Sequence, residues 1–453
     1  MNGRWYHQVI LYGLPGLPLA MLGLPLYVYL PTFYTNELGL PLSVVGAALL
    51  AARLLDVLTD PLIGWLNDRL QIGWGRRKVF ITLGTPLLLL GVEFLLRPST
   101  PVSGWYLFFW SLFAYLGWTC INIPWQAWGA EISNDYHDKT TLAASREGFT
   151  LLGTIVVVIL PLMILNQPSQ ADILSFMTGL LWWLLPLCIL PALLGLVERR
   201  PLRRFNPLLQ VGKIFSVHPA LHYLLPAYFL NSVANALPAT LFLLFVSHVL
   251  QTSQYSGLLL MVYFLSGVIG LPWWLWLARR LDKSRSWTLA LLLSIAGFVW
   301  VPLLGSGDIG WFIAICAVSG FALGADMALP ASIQADIAQH MQQQGNPHTG
   351  LLFGFWGLLT KLALALAVGI AFPLLDWAGF EQNASTQTTA AWMTLLVLYA
   401  GLPVLLKGWV IWRMWRFPFS AIDFRDYWER SYVSALYPVS STQRSSGVQQ
   451  HED

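Results

Sequence analysis

Long apolar runs follow one another along the chain, separated by short polar breaks. Twelve can be read, at 8–33, 41–66, 78–97, 104–130, 140–166, 173–197, 219–248, 254–278, 287–305, 310–338, 348–377 and 391–416. A hydrocarbon layer about 30 Å thick is crossed by roughly 20 residues of α-helix, and each run is close to that length or longer. The breaks carry Pro and polar residues, as in Arg97-Pro98-Ser99-Thr100-Pro101 and Asn166-Gln167-Pro168-Ser169. Pro and Gly inside the runs do not demote them, because transmembrane helices tolerate both. The runs are continuous rather than alternating, which excludes an outer-membrane β-barrel. The pattern predicts an all-α polytopic membrane protein.

Composition agrees. Of 453 residues, 56% are hydrophobic and only 10% are charged, and the mean hydropathy is +0.61. A soluble domain carries about a quarter charged residues. This balance excludes a soluble enzyme, a disordered scaffold and a nucleic-acid binder. Cys120, Cys188 and Cys316 lie in apolar runs without CxxC spacing, so neither a disulfide nor a metal site is expected. The first run leads directly into the second, which argues against a cleaved signal peptide.

The net charge of +3 says little, but its placement orients the chain. With the N-terminus in the cytoplasm, 21 of the 25 Lys and Arg fall on the cytoplasmic side and only Arg97 on the other. The remaining Arg53, Lys361 and Lys407 lie within runs. This bias places both termini in the cytoplasm and requires an even number of spans. The polar segment beginning Glu198-Arg199-Arg200-Pro201 divides the chain into a six-helix half (1–197), a cytoplasmic linker (198–217), a second six-helix half (218–416) and a polar tail (417–453). The halves resemble weak repeats, since Pro124 and Glu131 in span four correspond to Pro330 and Asp336 in span ten. Two six-helix repeats around a midplane site describe a transporter that rocks between access states.

Charge inside the spans narrows the chemistry. Burying a charge at a helix centre costs roughly 2.5–3.5 kcal/mol on insertion scales. Arg53, Asp56 and Asp60 of span two are spaced i, i+3 and i+7 and so share one helix face. Arg53 compensates one carboxylate and leaves the pair one positive charge short, which a bound Na+ or a proton would supply. Thr59 adds a hydroxyl, and Pro61 cannot donate to the Val57 carbonyl, which is then free to turn toward a cation. The alternative is a static Arg–Asp pair that pins helices together. Lys361 stands alone in span eleven: it either snorkels to an interface or reaches the Asp56/Asp60 face from the other half. Asp326 in span ten is a second isolated acid, with Lys361, the substrate or a local structural pair as its possible partners. Trp125, Trp128 and Trp356 share spans with polar residues and are candidates to line a cavity, while most of the 23 tryptophans suit an interfacial belt. The scattered histidines form no Ser/His/Asp set, and neither a phosphate loop nor a metal cluster is present, so no enzyme is expected.

One stretch is distinctive. Arg53-Leu-Leu-Asp56-Val-Leu-Thr59-Asp60-Pro61-Leu-Ile-Gly64-Trp-Leu-Asn-Asp68-Arg69, followed by Gly73-Trp74-Gly75-Arg76-Arg77-Lys78, resembles the span-two signature of the glycoside–pentoside–hexuronide:cation symporters. These form the melibiose-permease branch of the major facilitator superfamily. Phe33 to Gly39, Ile123 to Glu131, Asp135-Tyr136, Arg146-Glu147 and Gly350 to Lys361 are similar to further family stretches. The resemblance implies the major facilitator fold and a Na+ or H+ site at Asp56, Thr59, Asp60 and Thr119. It implies that Lys361 lies near that site, that Arg146 belongs to the cavity and its inner gate, and that Asp68, Arg69, Arg76 and Arg77 form a gating loop. The sugar clamp is where the chain departs. The span-one acid position reads Ala20, the span-four acid position reads Asn122, and the span-four tryptophan position falls near Gln126 between Trp125 and Trp128.

The resulting expectation is a cation-coupled secondary symporter of a small solute, a sugar or glycoside first, in a bacterial inner membrane. It would act as a monomer without cofactor beyond its coupling ion, with substrate and membrane lipid as its partners. The alternative is a lysolipid or amphiphile transporter on the same fold, toward which the apolar first span leans.

Overall fold

A computed structural model describes residues 3–23, 25–70, 74–99, 101–164, 170–198, 219–343, 348–380 and 387–417. The linker after Glu198 and the tail after Phe417 lie outside the described residues. The described chain is helical throughout. The first helix, α1, is interrupted: Gly3–Gly13 and Gly16–Met21 are α-helical, and Pro25–Tyr29 and Phe33–Glu37 are π-helical turns. Pro15, Pro18, Pro25 and Pro31 explain the breaks, since each lacks an N–H and crowds the preceding turn. There follow α2 (Leu42–Arg69), α3 (Arg76–Leu96), α4 (Gly104–Ile132), α5 (Tyr136–Ile164) and α6 (Gln170–Gly195). Then come α7 (Pro219–His248), α8 (Ser256–Leu281), α9 (Lys283–Phe298), α10 (Ile309–Gln343) and α11 (Thr349–Trp377). The last, α12, runs as Thr389–Leu396, a π-turn at Val397–Gly401, and Leu402–Trp415. Nine helical segments among the described residues are long and apolar enough to cross a membrane.

Several helices outrun the apolar pattern at the end where the basic residues gather, here called the inner end. α5 begins at Tyr136 rather than 140, α9 at Lys283 rather than 287, and α10 extends to Gln343 rather than 338. Hydropathy marks the lipid-soluble part of a helix, whereas the hydrogen-bonded rod continues into charged turns. Those turns carry Lys139 and Lys283. At the other end, Ser103 and Thr388 cap α4 and α12 by accepting from the N–H groups of Tyr106 (3.2 Å) and Ala391 (3.1 Å).

Buried apolar side chains gather in two large cores. One draws on α1 to α6, around Tyr12, Leu88, Ile121 and Leu185. The other draws on α7 to α12, around Leu237, Phe245, Phe312 and Tyr399. Between them α2 packs on α11, and α5 on α8 and α10. The α2–α11 seam is built from glycines. A Cβ on Gly350 would lie 2.5 Å from the Gly64 carbonyl oxygen, and one on Gly354 would lie 2.5 Å from that of Asp60. Small residues at such seams let backbones approach closely, and dispersion does the rest where lipid removes the hydrophobic drive.

Candidate functional site

The α2–α11 seam places a lysine from one half against two acids of the other. Lys361 Nζ lies 2.7 Å from Asp56 Oδ1 and 2.8 Å from Asp60 Oδ1. Thr119 of α4 completes the group, donating to Asp60 Oδ1 at 2.8 Å and lying 3.3 Å from Asp56 Oδ1. Asp60 is fully buried and Lys361 is 9% exposed. Asp60 Oδ2 has no hydrogen-bond partner among the described residues and faces Gly357, where a Cβ would sit 2.5 Å away. Two carboxylates and one ammonium leave these three groups one positive charge short. Buried imbalance of that kind is costly and marks an ion or proton site.

This corrects the counter-charge expected from sequence. Arg53 shares the helix face, but the cation in contact with both acids is Lys361; the Arg53 guanidinium packs 5.5 Å from the Tyr115 ring centre. The Thr59 hydroxyl turns back to donate to the Asp56 carbonyl at 2.8 Å, as hydroxyls one turn on commonly do.

Other expected residues make a set of polar and aromatic contacts of their own. Gln126 Nε2 donates to Asn122 Oδ1 at 3.1 Å. Trp125 Nε1 donates to the Tyr12 carbonyl at 2.9 Å, and the Arg146 guanidinium sits 5.9 Å from the Trp125 ring centre. Arg146 Nε in turn donates to Glu147 at 2.8 Å. Trp356 stacks on Tyr228 of α7, with ring centres 3.4 Å apart and planes 17° from parallel. The Tyr228 hydroxyl is 2.7 Å from Thr360 Oγ1. Tyr228 had no sequence signal beyond being aromatic in an apolar run, and Glu147 and Thr360 lay in the family-like stretches without a role of their own.

Two expected residues make contacts of another kind. Trp128, like Trp125, is buried in the N-terminal core, with the Lys78 ammonium 5.6 Å from its ring. Asp326 does not meet Lys361. Its Oδ1 accepts from Asn231 and from Trp287 Nε1, and its Oδ2 from Asn235, each at 2.7 Å. Lys407 of α12 pairs with it at 3.3 Å. One carboxylate thus gathers donors from α7, α9 and α12, a polar hub inside the second core.

The inner end is tied by two networks. In the first, Glu131 accepts from Arg76 and Arg77 at 2.7 Å, and Arg77 reaches Asp68 at 2.9 Å. Asp68 also crosses between the halves, accepting from the N–H groups of Gly350 and Leu351 at 2.9 Å each. It thereby satisfies unpaired donors at the positive end of α11. Arg69, expected in this group, stacks instead 5.1 Å from the Trp65 ring. The second network went unread in the sequence, where its lysines counted only toward topology. Asp336 takes Lys139 from α5 at 3.3 Å and Lys283 from α9. Tyr136 bonds Asp282, and Ser332 donates to Thr140 at 3.2 Å. The correspondence of Glu131 with Asp336 was the available clue.

Comparison with known proteins accounts for this architecture. The chain is 15% identical to a crystal structure of a bacterial homologue of the iron transporter ferroportin in an outward-facing state, with a TM-score of 0.65 over 92% of this chain and 100% of that one. That likeness concerns the fold. By sequence it is 24% identical to the sodium-dependent lysophosphatidylcholine symporter 1 of Xenopus tropicalis, covering 88% of this chain and 84% of the relative. It is 25% identical to the uncharacterized symporter YnaJ of Bacillus subtilis, covering 83% and 84%. These relatives do not single out the melibiose-permease branch. A family model described as MFS/sugar transport protein matches residues 11–421. The chain belongs to that family of major facilitator proteins, and it is a multi-pass integral membrane transporter rather than an enzyme.

Proposed function

We propose that the chain is a cation-coupled symporter of a lysophospholipid-like amphiphile. The observation that carries the coupling is the Asp56–Asp60–Lys361 cluster, which is one positive charge short and spans both halves. In the ion-free state Lys361 stands in for the cation, with its ammonium among the oxygens of Asp56, Asp60 and Thr119. An incoming Na+ or proton supplies the missing charge and loosens the lysine's hold on the two carboxylates. A filled site then favours substrate, and by reciprocity substrate favours the ion.

The amphiphile is favoured over a free sugar by two features. The first helix offers Ala20 where a sugar clamp would place an acid, and Tyr228 and Trp356 set an aromatic pair on the helix that carries Lys361. The lysophosphatidylcholine symporters among its relatives support the same choice. Aromatic walls suit an acyl chain or a quaternary ammonium. The protein would work in a bacterial plasma membrane.

Uptake into proteoliposomes tests the reading. A Na+ or proton gradient is expected to drive accumulation of lysophosphatidylcholine and not of melibiose or fucose, and Asp60→Asn is expected to abolish gradient-driven uptake. Uptake of sugar alone would overturn the substrate, and full gradient dependence in Asp60→Asn would overturn the ion site.

A further inference from the structure

The Tyr228–Trp356 pair has geometry that the ion site does not explain. Aromatic rings prefer offset or edge-on contact with centres about 4.5–7 Å apart. Here they overlap almost face to face at 3.4 Å and 17°. The Tyr228 hydroxyl holds the pair in place through Thr360, whose own hydroxyl is 2.9 Å from the Trp356 carbonyl oxygen. Thr360 is exposed and Tyr228 half-buried, so the hydroxyl side of the clasp is accessible. Arg146 and Glu147 of α5 lie within electrostatic reach of the same hydroxyl, which places the clasp opposite the other half.

The turn of α11 that carries this clasp also carries the ion site. Gly357 leaves room for Asp60 Oδ2, which a Cβ there would meet at 2.5 Å, and Lys361 follows Thr360 directly. One turn and a half of helix therefore has an aromatic tie to α7 on one side and the lysine–carboxylate contacts to α2 on the other.

We propose that the Tyr228–Trp356 clasp is a positioning device that reports substrate occupancy to Lys361. An apolar chain entering between the rings exchanges one unfavoured sandwich for two favourable faces. Its entry breaks the Tyr228–Thr360 hydrogen bond and releases the lateral tie that holds this turn of α11. The turn is then free to carry Lys361 away from Asp56 and Asp60. Substrate and cation thus promote each other through Thr360. This inference rests on the symporter reading above.

The test measures mutual enhancement: the dissociation constant of lysophosphatidylcholine with and without saturating Na+, and at pH 5.5 and 8, in purified full-length protein. Tyr228→Phe keeps the ring and removes the hydroxyl bond; Thr360→Val removes its partner. Both variants are expected to lose at least tenfold of the enhancement, because either ligand alone then binds without having to break the clasp. Tyr228→Phe or Thr360→Val retaining full enhancement would overturn the clasp. An unmodified protein without any ion-dependent enhancement would instead overturn the symporter reading, and the clasp with it.

Discussion

Replacing Lys361 with methionine separates two views of the charged cluster. If the lysine is a tethered stand-in for the coupling ion, its removal should make the ion bind more tightly. The ammonium is held at 2.7 and 2.8 Å by two carboxylates. At an effective dielectric of about 20, each contact is worth about 6 kcal/mol before desolvation. The net cost of separating a buried pair is smaller, about 3–5 kcal/mol. An ion entering the native site must meet that cost; in Lys361→Met it does not, and it also relieves the repulsion between Asp56 and Asp60. At 1.4 kcal/mol per tenfold, the gain in cation affinity is at least about 100-fold. Thermal unfolding in detergent, titrated with Na+ at fixed pH and then with pH in its absence, measures it. The half-stabilising cation concentration should fall by that factor while gradient-driven uptake is lost, since a site that cannot be emptied cannot cycle. An affinity in Lys361→Met equal to or weaker than the native one would refute the stand-in role and leave the lysine as a plain structural pair.

Three further outcomes follow from the packing. Gly64→Val pushes a side chain into the Gly350 backbone; overpacking of this kind costs about 1–3 kcal/mol, so the melting temperature should drop while Gly46→Val, at an open position, leaves it unchanged. Lys407→Met strands Asp326 inside the second core and should cost about 3–5 kcal/mol, whereas adding Asp326→Asn should recover most of that loss in a double-mutant cycle. Asp68→Asn weakens the tie to the α11 N-terminus; a cysteine placed at the buried Ser332, in a chain lacking Cys120, Cys188 and Cys316, should then label at least tenfold faster with a thiol reagent applied from the inner side.

The helical rods and the acids that matter were legible because hydropathy and intramembrane charge are local properties. Asp56 and Asp60 stand out in any reading of span two, and Asp68 in the loop that follows it. Partners were harder to see, because they are tertiary. Arg53 was the nearest base along the chain, yet Lys361, more than 300 residues away, makes the contact. Asp326 looked isolated because its donors, Asn231, Asn235, Trp287 and Lys407, come from helices remote in sequence. The lysines of the second inner network were hidden by a different effect: positive charge at helix ends is the default for topology, so Lys139 and Lys283 carried no signal of their own.

The placement of the two interhelical ties explains why an ion in the membrane and a gate at its inner face belong to one device. Asp60 and Asp68 lie on the same helix, eight residues apart, which is about 12 Å at 1.5 Å per residue. Both grip α11, one through Lys361 and the other through the N–H groups of Gly350 and Leu351. Between them Gly64, Gly350 and Gly354 bring the backbones so close that no side chain can slide through. A seam packed this tightly does not stretch by degrees; it holds or it parts. Separating α2 from α11 at either tie therefore loads the other. Neutralising the acids without Lys361 weakens the upper tie, and only then does the lower one stand alone against the opening of the inner end.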